Sequence, residues 1–142
     1  MSVASLLLPV FVLVGLTFLL MLWMAYLRVG AIKARMVRPR DISLRQPAWP
    51  ERATQIANAF HNQLELPVLF YVLVALILVT DTNSTIFVFL AWAFVITRLV
   101  HAYIHTGSNE LDRRFYVFGL GLAILIAMWI IFAVRILAVQ GL

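Results

Sequence analysis

The chain alternates between long apolar segments and short polar connections. Four segments are apolar over membrane length, at about residues 6–29, 53–80, 85–106 and 115–139. Each reaches or exceeds the roughly 20 residues that a helix needs to cross a bilayer. Because an unpaired backbone cannot lie in hydrocarbon and no alternating pattern suggests a barrel, each segment predicts a helix. We therefore expect an all-α fold, a four-helix transmembrane bundle that occupies residues 1–142 as one domain.

Composition supports an integral membrane protein. The 142-residue chain is 64% hydrophobic and 12% charged, whereas soluble domains are about 45–50% apolar and about 25% charged. The first apolar segment follows no Lys or Arg and is longer than the roughly 7–15-residue core of a secretion signal, so we expect a spanning helix there. The chain has no cysteine, which excludes disulfides, a catalytic protein thiol and thiolate metal sites. Sulfur chemistry would therefore need a sulfur atom from a substrate.

Basic residues are concentrated in the first polar connection, and a further pair, Arg113 and Arg114, lies in the third. The positive-inside rule then places both connections in the cytoplasm and both termini outside. A basic loop also contacts anionic headgroups, and the net charge of +5 would attract a small anionic substrate. Nucleic-acid binding is not expected, because no soluble module would carry it. The basic residues of the first connection are Arg28, Lys33, Arg35, Arg38, Arg40, Arg45 and Arg52.

Polar side chains cluster at the start of the second apolar segment. At about 100° of rotation per residue, a helix would carry five of them on one face, while Gln63 would point elsewhere. Pro67 cannot donate a hydrogen bond to the carbonyl of Gln63, so the helix should bend beside these groups. The five residues are Gln55, Asn58, His61, Asn62 and Glu65.

The third apolar segment carries a matching polar face near its end, where Arg98, His101 and His105 share one side of the helix. Since the second segment leaves the cytoplasm and the third returns to it, both faces lie in the cytoplasmic half of the bilayer. A charge at the bilayer centre costs at least about 2.5–3.5 kcal/mol, so we expect Glu65 to pair with Arg98. The remaining polar groups predict a cavity between the two helices, open to the cytoplasm.

The histidines of the third segment also raise a metal or haem interpretation. His101 and His105 are four residues apart, a possible spacing for metal ligands. Arg98 lies on the same face, however, and would repel a cation. Only His61 could supply a partner from another helix for a haem. We therefore predict no metal site.

Two stretches make the chain resemble the MAPEG superfamily, the membrane-associated proteins in eicosanoid and glutathione metabolism. They are ERATQIANAFHNQLELP in the second segment and RLVHAYIH in the third. The more specific motif is Asn-x-x-Glu followed by Pro, here Asn62, Glu65 and Pro67, and Arg98-x-x-His101 supports it. The resemblance covers nearly the whole chain and is greatest to the bacterial branch of the family.

The resemblance implies a homotrimer in the bacterial inner membrane, with active sites at the subunit interfaces and facing the cytoplasm. Gly119 and Gly121 in the fourth segment would permit close helix packing. Each site would bind glutathione as a cosubstrate, and a small lipophilic substrate would arrive from the bilayer. The implied activity is that of a glutathione transferase or peroxidase acting on lipophilic electrophiles or lipid peroxides.

The resemblance also implies roles for individual residues. Asn62 and Glu65 would contact glutathione, and an arginine after the third segment, Arg113 or Arg114, would stabilise its thiolate. The family's basic residue at the end of the first segment falls on Lys33 or Arg35. The other candidate ligand contacts on the two polar faces are Asn58, His61, Arg98, His101 and His105.

This chain departs from the eicosanoid members of the family at several site positions. Those members carry arginines where this chain has Asn58 and His61, and a tyrosine where it has His105. They carry hydroxyl residues where this chain has Phe115 and Phe118. The clamps for the ligand's carboxylates and the contacts to its thiol are therefore only partly reproduced.

Two other functions are compatible with the sequence. One is a non-catalytic membrane protein of the same fold, in which the polar network only orders the bundle. The other is a small proton-coupled transporter that uses Glu65 and the histidines as a proton relay. Saturable glutathione binding, a stable trimer that no ligand affects, or proton flux in liposomes would separate the three functions.

Overall fold

The structure is a computed structural model that describes residues 2–43 and 48–140. Arg45, which belongs to the predicted basic connection, lies outside the described residues. Within those two ranges the regular secondary structure is entirely helical. The helices are α1 (Val3–Lys33), α2 (Pro39–Ile42), α3 (Glu51–His61), α4 (Leu66–Val79), α5 (Thr85–Thr106) and α6 (Leu111–Gln140), with a 3₁₀ turn at Asn62–Leu64 between α3 and α4.

Four helical units are long and apolar enough to cross a membrane: α1, the unit from α3 to α4, α5 and α6. The bounds of α5 agree with the predicted segment 85–106. Helix α1 is longer than predicted at both ends, because the Ser2 hydroxyl accepts a hydrogen bond from the Ser5 amide at its start and Lys33 suits the negative end of the helix dipole. Helix α6 starts four residues earlier than predicted. Arg113 and Arg114 therefore lie in its first turn and not in the connection.

The second spanning unit, predicted as a bent helix over 53–80, is interrupted near its middle. Helix α3 ends at His61, and Glu65 has a non-helical backbone with φ −101° and ψ −106° before α4 begins. Pro67 has no N–H group to donate, and the Val68 amide bonds the Glu65 carbonyl instead, at 3.1 Å. The bend that Pro67 predicted is confirmed, and it begins one helical turn before the proline.

The core of the bundle is made of apolar side chains from α1, α4, α5 and α6. Phe70 and Phe94 stack at its centre, with ring centroids 4.9 Å apart. A smaller apolar cluster joins α1, α3 and α5 through Leu20, Ala59 and Ala102. The outer faces stay apolar as well, with many exposed Phe, Leu and Ile side chains, as expected for helices in contact with lipid.

Helices α5 and α6 approach each other closely at Gly121. A Cβ atom at that position would lie 2.6 Å from Oγ1 of Thr97 and 2.5 Å from Nη2 of Arg98. Close packing through Gly121 is therefore confirmed within a single chain. At Gly119, by contrast, an added Cβ would meet no atom within 4 Å.

Candidate functional site

A cleft lies at the end of the bundle where α5 ends and α6 begins. Its volume is about 170 Å³. One wall comes from the 3₁₀ turn after α3, one from α5 and one from the first two turns of α6. The cavity was predicted between the second and third apolar segments, and α6 adds a third wall to it. The lining residues are Asn62, His101, Leu111, Arg114, Phe115 and Phe118.

Two amides from the second spanning unit fix the geometry of this end of the bundle. Nδ2 of Asn62 donates to Nδ1 of His105 at 3.0 Å. Nε2 of Gln55 donates to the carbonyl oxygens of His105 at 2.7 Å and Gly107 at 3.2 Å. These carbonyls belong to the end of α5, where backbone oxygens lack partners within the helix. The amides therefore hold α3 and the 3₁₀ turn against α5.

Arg52 reinforces the same junction. Its Nη1 donates to the Thr106 carbonyl at 2.6 Å and to Oε1 of Gln55 at 2.8 Å. Its guanidinium also lies 5.0 Å from the centre of the Trp23 ring on α1, within the range of a cation–π contact. The sequence pattern predicts only a topological role for Arg52, and nothing in it indicates this link between α1, α3 and α5.

The side chain of Arg98 is almost fully buried, but the expected ion pair with Glu65 is not formed. Nη2 of Arg98 makes long contacts to the carbonyls of Val117, at 3.3 Å, and Phe118, at 3.5 Å. Nε and Nη1 have no hydrogen-bond partner among the described residues. The guanidinium lies 5.6 Å and 5.1 Å from the ring centres of Phe94 and Phe118. Glu65 is exposed, and its backbone is not helical.

The two histidines of α5 lie side by side on the buried face. Their rings meet edge to face with centroids 5.7 Å apart, and His101 lies 5.8 Å from the Phe118 ring. All three residues of the predicted common face, Arg98, His101 and His105, are buried. Across residues 2–43 and 48–140, no group of three or more His, Cys, Asp or Glu side chains could hold a metal ion.

The two adjacent arginines of α6 have different surroundings. Arg113 is exposed, and its Nε pairs with Oε2 of Glu110 at 2.8 Å. Arg114 is half-buried in the cleft, and its Nη1 donates to Oδ1 of Asn109 at 2.7 Å. The charge of Arg114 also lies within electrostatic range of His101. Of the two arginines, Arg114 is the one that the structure brings together with Asn62 and His101.

The other candidate residues lie outside the cleft within a single chain. Asn58, His61 and Glu65 are exposed on the second spanning unit. Lys33 ends α1, and Arg35 follows it with a left-handed backbone conformation of φ 57°; both side chains are exposed. Five of the predicted contacts are therefore available to a partner or to solvent and are not part of the cleft.

A larger apolar groove lies farther along α6. Its volume is about 380 Å³. Phe115 and Phe118 of the cleft are followed at helical spacing by Leu122, Ile126 and Ile130 of the groove, so the two openings share one face of α6. The groove is lined by Leu69, Leu122, Leu125, Ile126, Trp129, Ile130 and Ala133.

Four apolar helical units with a cleft of mixed polar and apolar lining at one end define an integral membrane protein of the helical-bundle class. The family model described as the MAPEG family matches residues 6–134 of the 142-residue chain, and the chain belongs to that family. Comparison with curated proteins and with solved structures found no match.

Proposed function

We propose that this protein is a glutathione-dependent membrane enzyme of transferase or peroxidase type that acts on lipophilic substrates. The observation that carries the proposal is the cleft in which Arg114, Asn62 and His101 meet beside apolar side chains. Members of the family are generally associated with glutathione, and the cleft combines the two kinds of surface that such chemistry needs. One is a polar wall for a thiol peptide and the other an apolar wall for its reaction partner.

The polar wall suits a thiol nucleophile. The thiolate, not the thiol, attacks an electrophile, and a neighbouring arginine favours the thiolate. Arg114 supplies that charge in our proposal, and Asn62 and His101 supply hydrogen bonds to the peptide. In conjugation, the sulfur forms a bond to an electrophilic carbon while that carbon loses its leaving group, and the thiol proton passes to solvent. The chain supplies no thiol of its own, since it contains no cysteine.

The apolar wall suits a substrate that enters from the membrane. Phe115 and Phe118 lie on the face of α6 that also lines the larger groove. A hydrocarbon tail lying in that groove would place its polar or reactive end near the cleft. This arrangement supports a lipid peroxide or another lipophilic electrophile as the second substrate.

The exposed polar residues of the second spanning unit support assembly as a homotrimer. Asn58, His61 and Glu65 are exposed on an otherwise apolar unit, and polar groups that face lipid are costly. A second copy of the chain would cover them and bring them toward a cleft shared by two subunits. Lys33 and Arg35 could then reach the carboxylates of a peptide bound in the neighbouring subunit's cleft. We place this cleft on the cytoplasmic face of the bacterial inner membrane, with both termini outside.

Calorimetric titration of the purified protein with reduced glutathione tests the proposal. S-methylglutathione is the matched ligand, because it keeps both carboxylates and the ammonium group but has no thiol. We expect saturable binding of both ligands and turnover of a chromogenic electrophile with reduced glutathione only. Absence of binding at millimolar glutathione, together with absence of turnover, would exclude the enzyme function.

A structural role for the polar network is the second candidate. The hydrogen bonds of Asn62, Gln55 and Arg52 to the end of α5 favour it, because they order the bundle without any ligand. In that case the protein would form a stable oligomer whose melting temperature does not respond to glutathione or to S-methylglutathione.

A further inference from the structure

The turn between α5 and α6 holds Asn109 in an unusual conformation. Its φ is 55°, in the left-handed region, which asparagine tolerates better than most residues. Its amide donates to the Ile104 carbonyl at 2.8 Å, so the turn closes the last turn of α5. The backbone thereby fixes the position and direction of the Cα–Cβ bond of Asn109.

That side chain holds the arginine of the cleft. Oδ1 of Asn109 accepts a hydrogen bond from Nη1 of Arg114 at 2.7 Å, within the ordinary range for a short N–H···O bond. Nε of Arg114 is buried and has no hydrogen-bond partner among the described residues. In the part of the chain that the structure describes, the exposed Asn109 amide is thus the side chain that hydrogen-bonds the guanidinium.

The neighbouring arginine provides a comparison. Arg113 pairs with a carboxylate, that of Glu110, so the two side chains together carry no net charge. Arg114 is held by a neutral carboxamide, which accepts a hydrogen bond but carries no net charge. Arg114 is therefore oriented without losing the positive charge that would favour an anion in the cleft.

We propose that Asn109 is the positioning residue for Arg114, and that it fixes the guanidinium at the ligand's sulfur while leaving its charge uncompensated. The inference rests on the proposed function, because it assigns Arg114 to the thiolate of bound glutathione. Asn109 itself need not touch the ligand. Its effect on the thiolate is exerted through Arg114.

The test compares Asn109→Gly, Asn109→Asp and a control, Ser108→Gly, in the full chain reconstituted with reduced glutathione. Glycine keeps the left-handed turn and deletes the acceptor, whereas aspartate keeps the acceptor and adds a negative charge. Ser108→Gly loosens the same turn without touching Arg114. The measured quantities are the pKa of the bound thiol, from a pH titration of thiolate absorbance, and the conjugation rate at neutral pH.

We expect Asn109→Gly to raise the thiol pKa and to slow conjugation at neutral pH about 3- to 10-fold, the range expected for one hydrogen bond. Asn109→Asp should raise the thiol pKa further, and Ser108→Gly should leave it unchanged. In an Arg114→Ala background, Asn109→Gly should have no additional effect, because a residue that acts only through Arg114 shows complete coupling in a double-mutant cycle.

The proposal is overturned if wild type lowers the pKa of bound glutathione and neither Asn109 variant changes it. It is also overturned if Asn109→Gly has the same effect with and without Arg114, since Asn109 would then act only as a helix cap. If wild type leaves the pKa of glutathione at its value in water, the proposed function fails and this inference fails with it. Should the glycine variant not fold, Asn109→Asp is measured with and without Arg114→Ala, and a rise in thiol pKa of equal size in both backgrounds overturns the proposal.

Discussion

A Cβ atom at Gly121 would lie 2.5 Å from Nη2 of Arg98, closer than such atoms can pack. The guanidinium cannot easily move away, because the rings of Phe94 and Phe118 lie against it. The crossing of α5 and α6 therefore depends on a glycine, and the glycine is needed because an arginine is buried opposite.

We expect Gly121→Ala to lower the free energy of unfolding by about 1–3 kcal/mol, the usual cost of overpacking a tight interior. Thermal melting of the purified protein in detergent measures it. Gly119→Ala is the matched control, since an added Cβ there meets open space and alanine favours a helix. Equal melting temperatures for the two variants would contradict the packing argument.

Glu65→Gln should change thermal stability by less than about 0.5 kcal/mol, the scale expected for a surface change. The reason is that Glu65 is exposed and forms no ion pair with Arg98 in the described structure. The same variant should weaken glutathione binding by about 1–3 kcal/mol if its carboxylate accepts the ligand's ammonium group. Melting and calorimetry on the same preparation separate the two effects. A large loss of thermal stability in the absence of ligand would instead indicate that Glu65 pairs with Arg98.

Much of the fold follows from the sequence because the apolar segments are long and their ends are polar. The extent of α5 could be predicted directly, since its apolar run is bounded by Ser84 and Gly107. The start of α6 could not, because Asp112 and the two arginines look like loop residues although they suit the first turn of a helix. Acidic Asp112 in particular is favourable at the positive end of the helix dipole.

The site was less predictable, and the reason lies in the second spanning unit. A continuous helix, at about 100° of rotation per residue, would place Glu65 beside Asn62. The 3₁₀ turn and the non-helical backbone of Glu65 break that register, so Asn62 faces α5 while Glu65 is exposed. The proline predicts a bend, but spacing alone does not tell which residues the bend rotates. The sequence carries no signal for Asn109, because its left-handed backbone and its contact with Arg114 are visible only in the structure.

The orientation can be tested with single cysteines, because the chain has none of its own. We expect Ser2→Cys to react with an impermeant thiol reagent in intact cells and Ser43→Cys to be protected, as the distribution of basic residues implies. Ser43→Cys should react after the membrane is permeabilised, which shows that the site is accessible. The opposite labelling pattern would place the cleft on the outer face.

The pair Arg113 and Arg114 gives the sharpest test of the cleft. Both are in the first turn of α6, but only Arg114 lines the cleft, whereas Arg113 is exposed and paired with Glu110. Arg114→Ala should raise the pKa of bound glutathione, since a cation beside a thiolate favours the ionised form. Conjugation should then slow most at neutral pH, where less thiolate remains, and recover as the pH rises.

Arg113→Ala removes the same charge from the same turn and serves as the control. It should leave the thiol pKa and the neutral rate nearly unchanged, since an exposed ion pair contributes only about 0–1 kcal/mol. Calorimetry with S-methylglutathione should show similar affinity for both variants, because Arg114 acts on the thiolate and that ligand has none. If Arg113→Ala proved to be the damaging substitution, the thiolate would lie on the outer side of α6. The active cleft would then have to be formed with a neighbouring subunit.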